Sequence, residues 1–157
     1  MVHILHRLKS TVRMAAAAGL LVSLGACSSL HATNTVALSA LLTGAAEVPP
    51  TLTSGTGMAE ATLDKDTRVL AWKVTFTGLT GAATAAHIHG PAAAGSNAGV
   101  VIPFAGAVSP MEGQATLTEA QVADLLAGKW YVNVHTAANK GGEIRGQLAP
   151  RRVNPMM

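Results

Sequence analysis

"RVLAWKVTFTGLTG", Arg68 to Gly81, decides the fold. Leu70, Trp72, Val74 and Phe76 fall on one side of a two-residue period, and Ala71, Lys73, Thr75 and Thr77 fall on the other. Successive side chains of a strand point to opposite faces, so this is a half-buried strand, closed by Gly78 and Gly81. The same period runs outward in both directions. "TVALSALL" puts Val36, Leu38, Ala40 and Leu42 on one face. "GAAEVPPTLTSGTG" then breaks the pattern, because adjacent prolines cannot occupy a central strand. "MAEATLD" is a second strand, with the turn at Asp64 to Asp66. Beyond "ATAAHIHG" come the small-residue loop 91–99, the apolar strand "VVIPF", and two last strands, "KWYVNVHT" and "EIRGQL", joined by "AANKGG". One helix interrupts them: Thr118 and Gln121 have capping-box spacing before "EAQVADLLA", and Gly128 can close the end. Short strands with Gly and Pro turns predict an all-β domain, a single antiparallel β-sandwich or Greek-key barrel with one short helix, over residues 35–150. Aromatics are scarce (Trp72, Phe76, Phe104, Trp130, Tyr131), so Val, Leu, Ile and Ala must build its core.

The N-terminal segment reads differently. Residues 1–26 carry Arg7, Lys9 and Arg13 and then "MAAAAGLLVSLGA", the basic start and short apolar run of a secretory signal peptide. Its end, Leu24-Gly25-Ala26-Cys27, resembles the bacterial lipobox. That resemblance implies cleavage before Cys27 and a diacylglycerol on its sulfur. Residues 27–34 are then a tether, and residues 151–157 a C-terminal tail. The expected location is the bacterial cell envelope, with membrane attachment through the Cys27 lipid. Ser28 rather than an aspartate after the cysteine resembles the outer-membrane sorting pattern of Gram-negative lipoproteins. Cys27 is the only cysteine, so an intrachain disulfide is excluded. Of 11 Lys+Arg, three lie in the leader, leaving eight against eight Asp+Glu that all follow Cys27. A near-neutral mature chain lacks the basic stripe of a nucleic-acid partner.

The chemistry concentrates in three histidines. In "AAHIHG" Ala86 and Ile88 share the apolar face, so His87 and His89 share the other. In "WYVNVHT" the apolar face is Trp130, Val132 and Val134, so His135 points with Tyr131 and Asn133, away from the core. Residues two apart on one face stand about 6.5–7 Å apart at Cα, and their imidazoles can converge on one ion where a bulge or twist tilts them. A third imidazole from an adjacent strand would complete a site suited to zinc, copper, iron or nickel. The alternative is a pair of surface histidines beside a turn. His31, the fourth histidine of the mature chain, lies in the tether.

"HIHGPAAAGSNAGVV" together with "LLAGKWYVNVHTAANKGGEIRGQL" closely resembles the CHRD domain, an all-β extracellular module named for chordin, over Thr35 to Leu148. That family's biochemical role is poorly defined, so the resemblance implies a fold more than an activity. More distantly, "VTFTGLTGAATAAHIHG" and "YVNVHTAANKGG" are similar to the copper-ligand strands of copper-zinc superoxide dismutases. The likeness implies one copper ion on His87, His89 and His135. It implies no zinc subsite, since there is no histidine between His89 and His135. Those enzymes also use an arginine at the active site. Arg145 lies in the corresponding region out of register, and shares the non-core face with Glu143 and Gln147. It either approaches the site in that catalytic role or is a solvated charge paired with Glu143.

Three readings follow. The chain is a copper-binding domain; or it adds redox turnover, a copper-dependent superoxide dismutase-like activity; or it is a structural or interaction module without metal. Nucleophilic catalysis lacks a Gly-x-Ser-x-Gly setting. Paired-carboxylate hydrolysis lacks a pair.

Overall fold

The computed structural model describes residues 34–151. The signal segment, Cys27, His31 and all but the last residue of the tether lie outside them, as does the tail beyond Arg151. The elements are β1 (Thr35–Thr43), β2 (Thr56–Asp64), β3 (Val69–Thr77), β4 (Ala83–His89), β5 (Val100–Pro103), β6 (Met111–Thr116), α1 (Glu119–Leu126), β7 (Tyr131–Thr136), β8 (Ile144–Gln147) and the two-residue β9 (Ala149–Pro150). All pairings are antiparallel. The strands form one sheet in the order β5-β4-β7-β8-β1-β2-β3-β6, with β9 beside β1.

The sheet curls until its ends nearly meet. The segment after β5 carries the chain from one edge strand to the other. On the way, the Phe104 amide donates to Ala86 O, and its ring stacks on Trp72 of β3 at 5.3 Å between centroids. The Phe76 amide donates to Ser109 Oγ on the same crossing. A nearly closed barrel leaves little unpaired edge.

Inside lies one aliphatic core. Leu38, Ala40 and Leu42 come from β1, Leu70 and Val74 from β3, Ala86 and Ile88 from β4, Val132 and Val134 from β7, and Ile144 from β8. The alternation expected for β1, β3 and β4 therefore sets their inward faces. Trp72 and Phe76 have the expected facing but are only half-buried, because β3 lies next to the β6 edge. The fully enclosed indole is Trp130, 1% exposed. It packs so closely on Gly90 that a Cβ there would collide with it. Trp72→Ala is therefore expected to cost about 2–3 kcal/mol, below the 3–5 typical of an enclosed aromatic. A urea-denaturation midpoint reads this difference.

The helix begins as its spacing predicts. Thr118 Oγ1 accepts from the Gln121 amide, and Gln121 Oε1 accepts from the Thr118 amide. β6 was not anticipated. Its outward residues, Glu112, Gln114 and Thr116, are polar, and Gly113 and Ala115 face the barrel, so its alternation carries little apolar contrast.

The other face of β7 and β8 departs from expectation. Alternation makes it the solvent side, yet Tyr131, Asn133, Glu143 and Arg145 are all buried there. Two loops cover it. Residues 44–55 are tied down by Thr51 Oγ1 to Glu143 O, and residues 90–99 by Arg145 and Gln147. Asn97 Nδ2 donates to Val48 O and joins the two loops. A second, polar core lies beneath them.

Candidate metal centre

His87 and His89 come from β4, and His135 from its neighbour β7. The register pairs His87 with Asn133, His89 with Tyr131 and Ala85 with His135, so His135 is the diagonal neighbour of His87. β4 is irregular at both ends, against β7 between Ala83 and Ala85 and against β5 between Ile88 and His89. Such irregularities re-aim side chains. The result is a cluster in which one ring nitrogen from each histidine lies within 4.8 Å of the others. Ring centroids are 4.9 Å apart for His87 and His135, 5.4 Å for His87 and His89, and 6.5 Å for His89 and His135. The three expected residues are together.

Their hydrogen bonds assign the lone pairs. His135 Nδ1 donates to Lys140 O at 3.0 Å, which leaves Nε2 as the acceptor nitrogen of the neutral ring. His89 Nδ1 lies 3.0 Å from Ala98 O and its Nε2 lies 3.0 Å from Asn133 Oδ1; both partners are acceptors, so the neutral ring donates to one of them, and its lone pair is at Nε2 when the proton goes to Ala98 O. Ligation through Nε2 requires the Asn133 amide to give way. His87 Nδ1 lies 3.0 Å from His135 Nε2, and with His135 protonated on Nδ1 the shared proton belongs to His87. A proton thus sits between the two rings, and ligation through His87 Nδ1 requires it to move to Nε2 of the same neutral ring. Burial holds the His87 ring below the usual imidazole range, and the charges of His135 and His89 lower it further. Burial lowers His135 too, against the Lys140 hydrogen bond and with help from His89. Both effects favour the neutral, ligating form.

The chemistry of the donors fits a metal ion. Three imidazoles converge with no thiolate among them, and two set Nδ1 against a backbone carbonyl, the contact that orients histidine ligands. His89 is buried, while His87 and His135 are half-buried.

Arg145 is placed otherwise than either reading of its sequence position. It is 2% exposed, and its Nη1 and Nη2 donate to Asn97 Oδ1 at 2.9 Å and Ser96 O at 2.7 Å. Its Cζ lies 3.4 Å from the centroid of Tyr131, whose ring stacks on His89. Glu143 is not its partner. That carboxylate accepts from Thr53, Thr80, Thr136 and Asn139. The acid beside Arg145 is Glu47: burial pushes its carboxyl up to about 7, against the pull of the Arg145 charge. Its Oε1 has no hydrogen-bond partner among the described residues. Nothing in the 44–57 loop marked Glu47 as buried. Tyr131, Asn133 and Glu143 were assigned to the correct face without any sign that it is covered.

Compared with known proteins, residues 38–148 match the family model of the CHRD domain. No curated protein and no solved structure matches the chain.

Proposed function

Because this chain belongs to the CHRD domain family, a family that names a fold rather than an activity, we propose that its own side chains supply the function: a single copper ion held by His87, His89 and His135. The observation that carries this reading is the convergence of one ring nitrogen from each histidine, on two separate strands, within 4.8 Å. Copper is preferred over other imidazole-binding metals because the His-x-His and Val-His strands resemble the copper-ligand strands of superoxide dismutases. Copper would supply one-electron redox chemistry there. The protein's part is to keep the three rings neutral, to hold His89 and His135 by Ala98 O and Lys140 O, and to cover His89 from water while His87 and His135 stay accessible. Superoxide turnover is a further step of the same reading, with Arg145 influencing the site through Tyr131. Metal content and electron paramagnetic resonance after reconstitution with Cu(II), beside the triple His→Ala variant, test binding. A superoxide assay on the loaded protein separates binding from turnover. A spectrum unaffected by Cu(II) would instead make the domain a structural or interaction module.

In the same proposal Cys27 carries the lipid and holds the domain on the outer face of a bacterial envelope membrane, through residues 27–34. The support is the Leu-Gly-Ala-Cys sequence and the solitary cysteine. Cys27→Ala is expected to move the protein into the soluble fraction with its fold intact, and the mass of the wild-type N-terminus should show the diacylglycerol. An unmodified thiol refutes this.

A further inference from the structure

Three side chains are stacked across three strands beside the histidine cluster. Tyr131 of β7 is directly opposite His89 of β4, and their rings are parallel within 1° at 4.8 Å between centroids. Arg145 comes from β8, on the opposite side of β7, and its Cζ lies 3.4 Å from the centroid of the Tyr131 ring. Tyr131 thus lies between an imidazole and a guanidinium. Tyr131 and Arg145 are each 2% exposed, and a cation over an aromatic face is held most strongly where both are desolvated.

All three members also grip one short piece of chain. Arg145 donates to Ser96 O and Asn97 Oδ1, the Tyr131 hydroxyl accepts from the Ala98 amide at 3.1 Å, and His89 Nδ1 lies 3.0 Å from Ala98 O. Three consecutive residues are held by three stacked groups. An apolar side chain would have filled the space under this loop. A hydroxyl and a guanidinium aimed at the carbonyl segment that orients His89 do more than fill space.

We propose that Tyr131 and Arg145 are positioning residues for His89: their stack and its grip on residues 96–98 fix the plane of the ring and keep the proton on Nδ1. The lone pair is thereby held at Nε2, against the competing acceptor Asn133 Oδ1 at 3.0 Å from that nitrogen. The proposal rests on the reading of that cluster as a metal site, but the ring is held whether or not an ion is bound. Turning the ring over would break the bond to Ala98 O and the parallel contact with Tyr131 together. Among the described residues His87 and His135 have no such stack, so the site is asymmetric: His89 is held by a stack and a loop, and His135 by Lys140 O.

The test uses the protein carrying residues 27–157, as wild type, Tyr131→Leu, Tyr131→Phe and Arg145→Lys. In the metal-free protein, solvent exchange of the His89 Nδ1 proton is read by nitrogen-15 NMR. Tyr131→Leu should speed it at least tenfold, and Arg145→Lys, which loses the two-pronged grip on Ser96 and Asn97, should speed it as well. With Cu(II) alone as the probe, Tyr131→Leu should weaken binding by about 10–100-fold, the usual cost of losing a ligand's supporting partner, and should change the copper hyperfine splitting. Tyr131→Phe keeps the stack and should recover most of the affinity and the wild-type splitting. Wild-type exchange and affinity in a folded Tyr131→Leu protein would overturn the proposal. So would a Tyr131→Phe protein as impaired as Tyr131→Leu, since the stack would then not matter. If Tyr131→Leu does not fold, the exchange rate in Arg145→Lys decides. If the wild type binds no Cu(II), the proposed function fails while the exchange measurements still decide this inference.

Discussion

Replacing any one of His87, His89 and His135 with alanine is expected to lower Cu(II) affinity by at least about a hundredfold. Four-ligand structural zinc sites gain about 10–16 kcal/mol, so one ligand is worth roughly 3 kcal/mol, and each 1.4 kcal/mol is a factor of ten. His31→Ala, in the tether, should bind as wild type. Competition titration against a chelator of known affinity measures these values. The pH dependence follows from the direction of the shifts. Burial and mutual repulsion hold His87 and His135 below the ordinary imidazole value of 6.5, so affinity should persist below that value before protonation competes. The same shifts set the sign for the metal-free fold. With folded values below unfolded ones, the unfolded chain binds more protons as pH falls from 6.5, and stability declines over that window. Copper binding that halves already at pH 6.5 would contradict the desolvated environment.

Glu143→Ala should be the most damaging single substitution outside the core. The side chain is fully buried and accepts five hydrogen bonds. Oε1 receives Thr53 Oγ1 at 2.7 Å and the Thr80 amide at 2.8 Å. Oε2 receives Thr80 Oγ1 and Thr136 Oγ1 at 2.6 Å each and Asn139 Nδ2 at 3.1 Å. It ties the loop before β2 and the turn after β3 to β7 and β8. Removing one partner of a buried charged network costs about 3–5 kcal/mol. Glu143→Gln keeps the shape but turns an amide donor toward donors, and should lose somewhat less.

Acid supplies a second signature of the same group. Burial pushes the Glu143 carboxyl up, but the hydrogen bonds of Thr136, Thr80 and Thr53 outweigh it and hold the group at about 2, against 4.5 when free. Its contribution is complete above pH 4.5 and lost as pH falls toward 2. At 1.36 kcal/mol per unit the total is roughly 3 kcal/mol. Urea midpoints between pH 6 and 2 should fall for the wild type and stay flatter for Glu143→Gln. The site should be affected too, because Thr136 and Asn139 flank the turn that presents Lys140 O to His135.

The sequence alone determined the strand faces and the facing of the histidines. Strand alternation is local: Leu70 and Val74 point inward, and His87, His89 and His135 point away from the core, because each Cβ direction is set by its immediate neighbours. The helix start was equally local, decided by Thr118 and Gln121. Tertiary structure alone decided what covers the far face. Its defining contacts join residues far apart in the chain, such as Thr51 to Glu143 over 92 positions and Arg145 to Ser96 over 49. No period in the sequence encodes such a pairing. A face that alternation marks as polar becomes solvent or a second core according to whether a loop folds over it. Here two loops do, so Glu143 became a buried carboxylate instead of a surface acid. Arg145 became the outer layer of a stack on His89, neither a solvated charge nor a direct neighbour of the cluster. Only once the barrel had brought β4 and β7 side by side could three outward-facing histidines become one site.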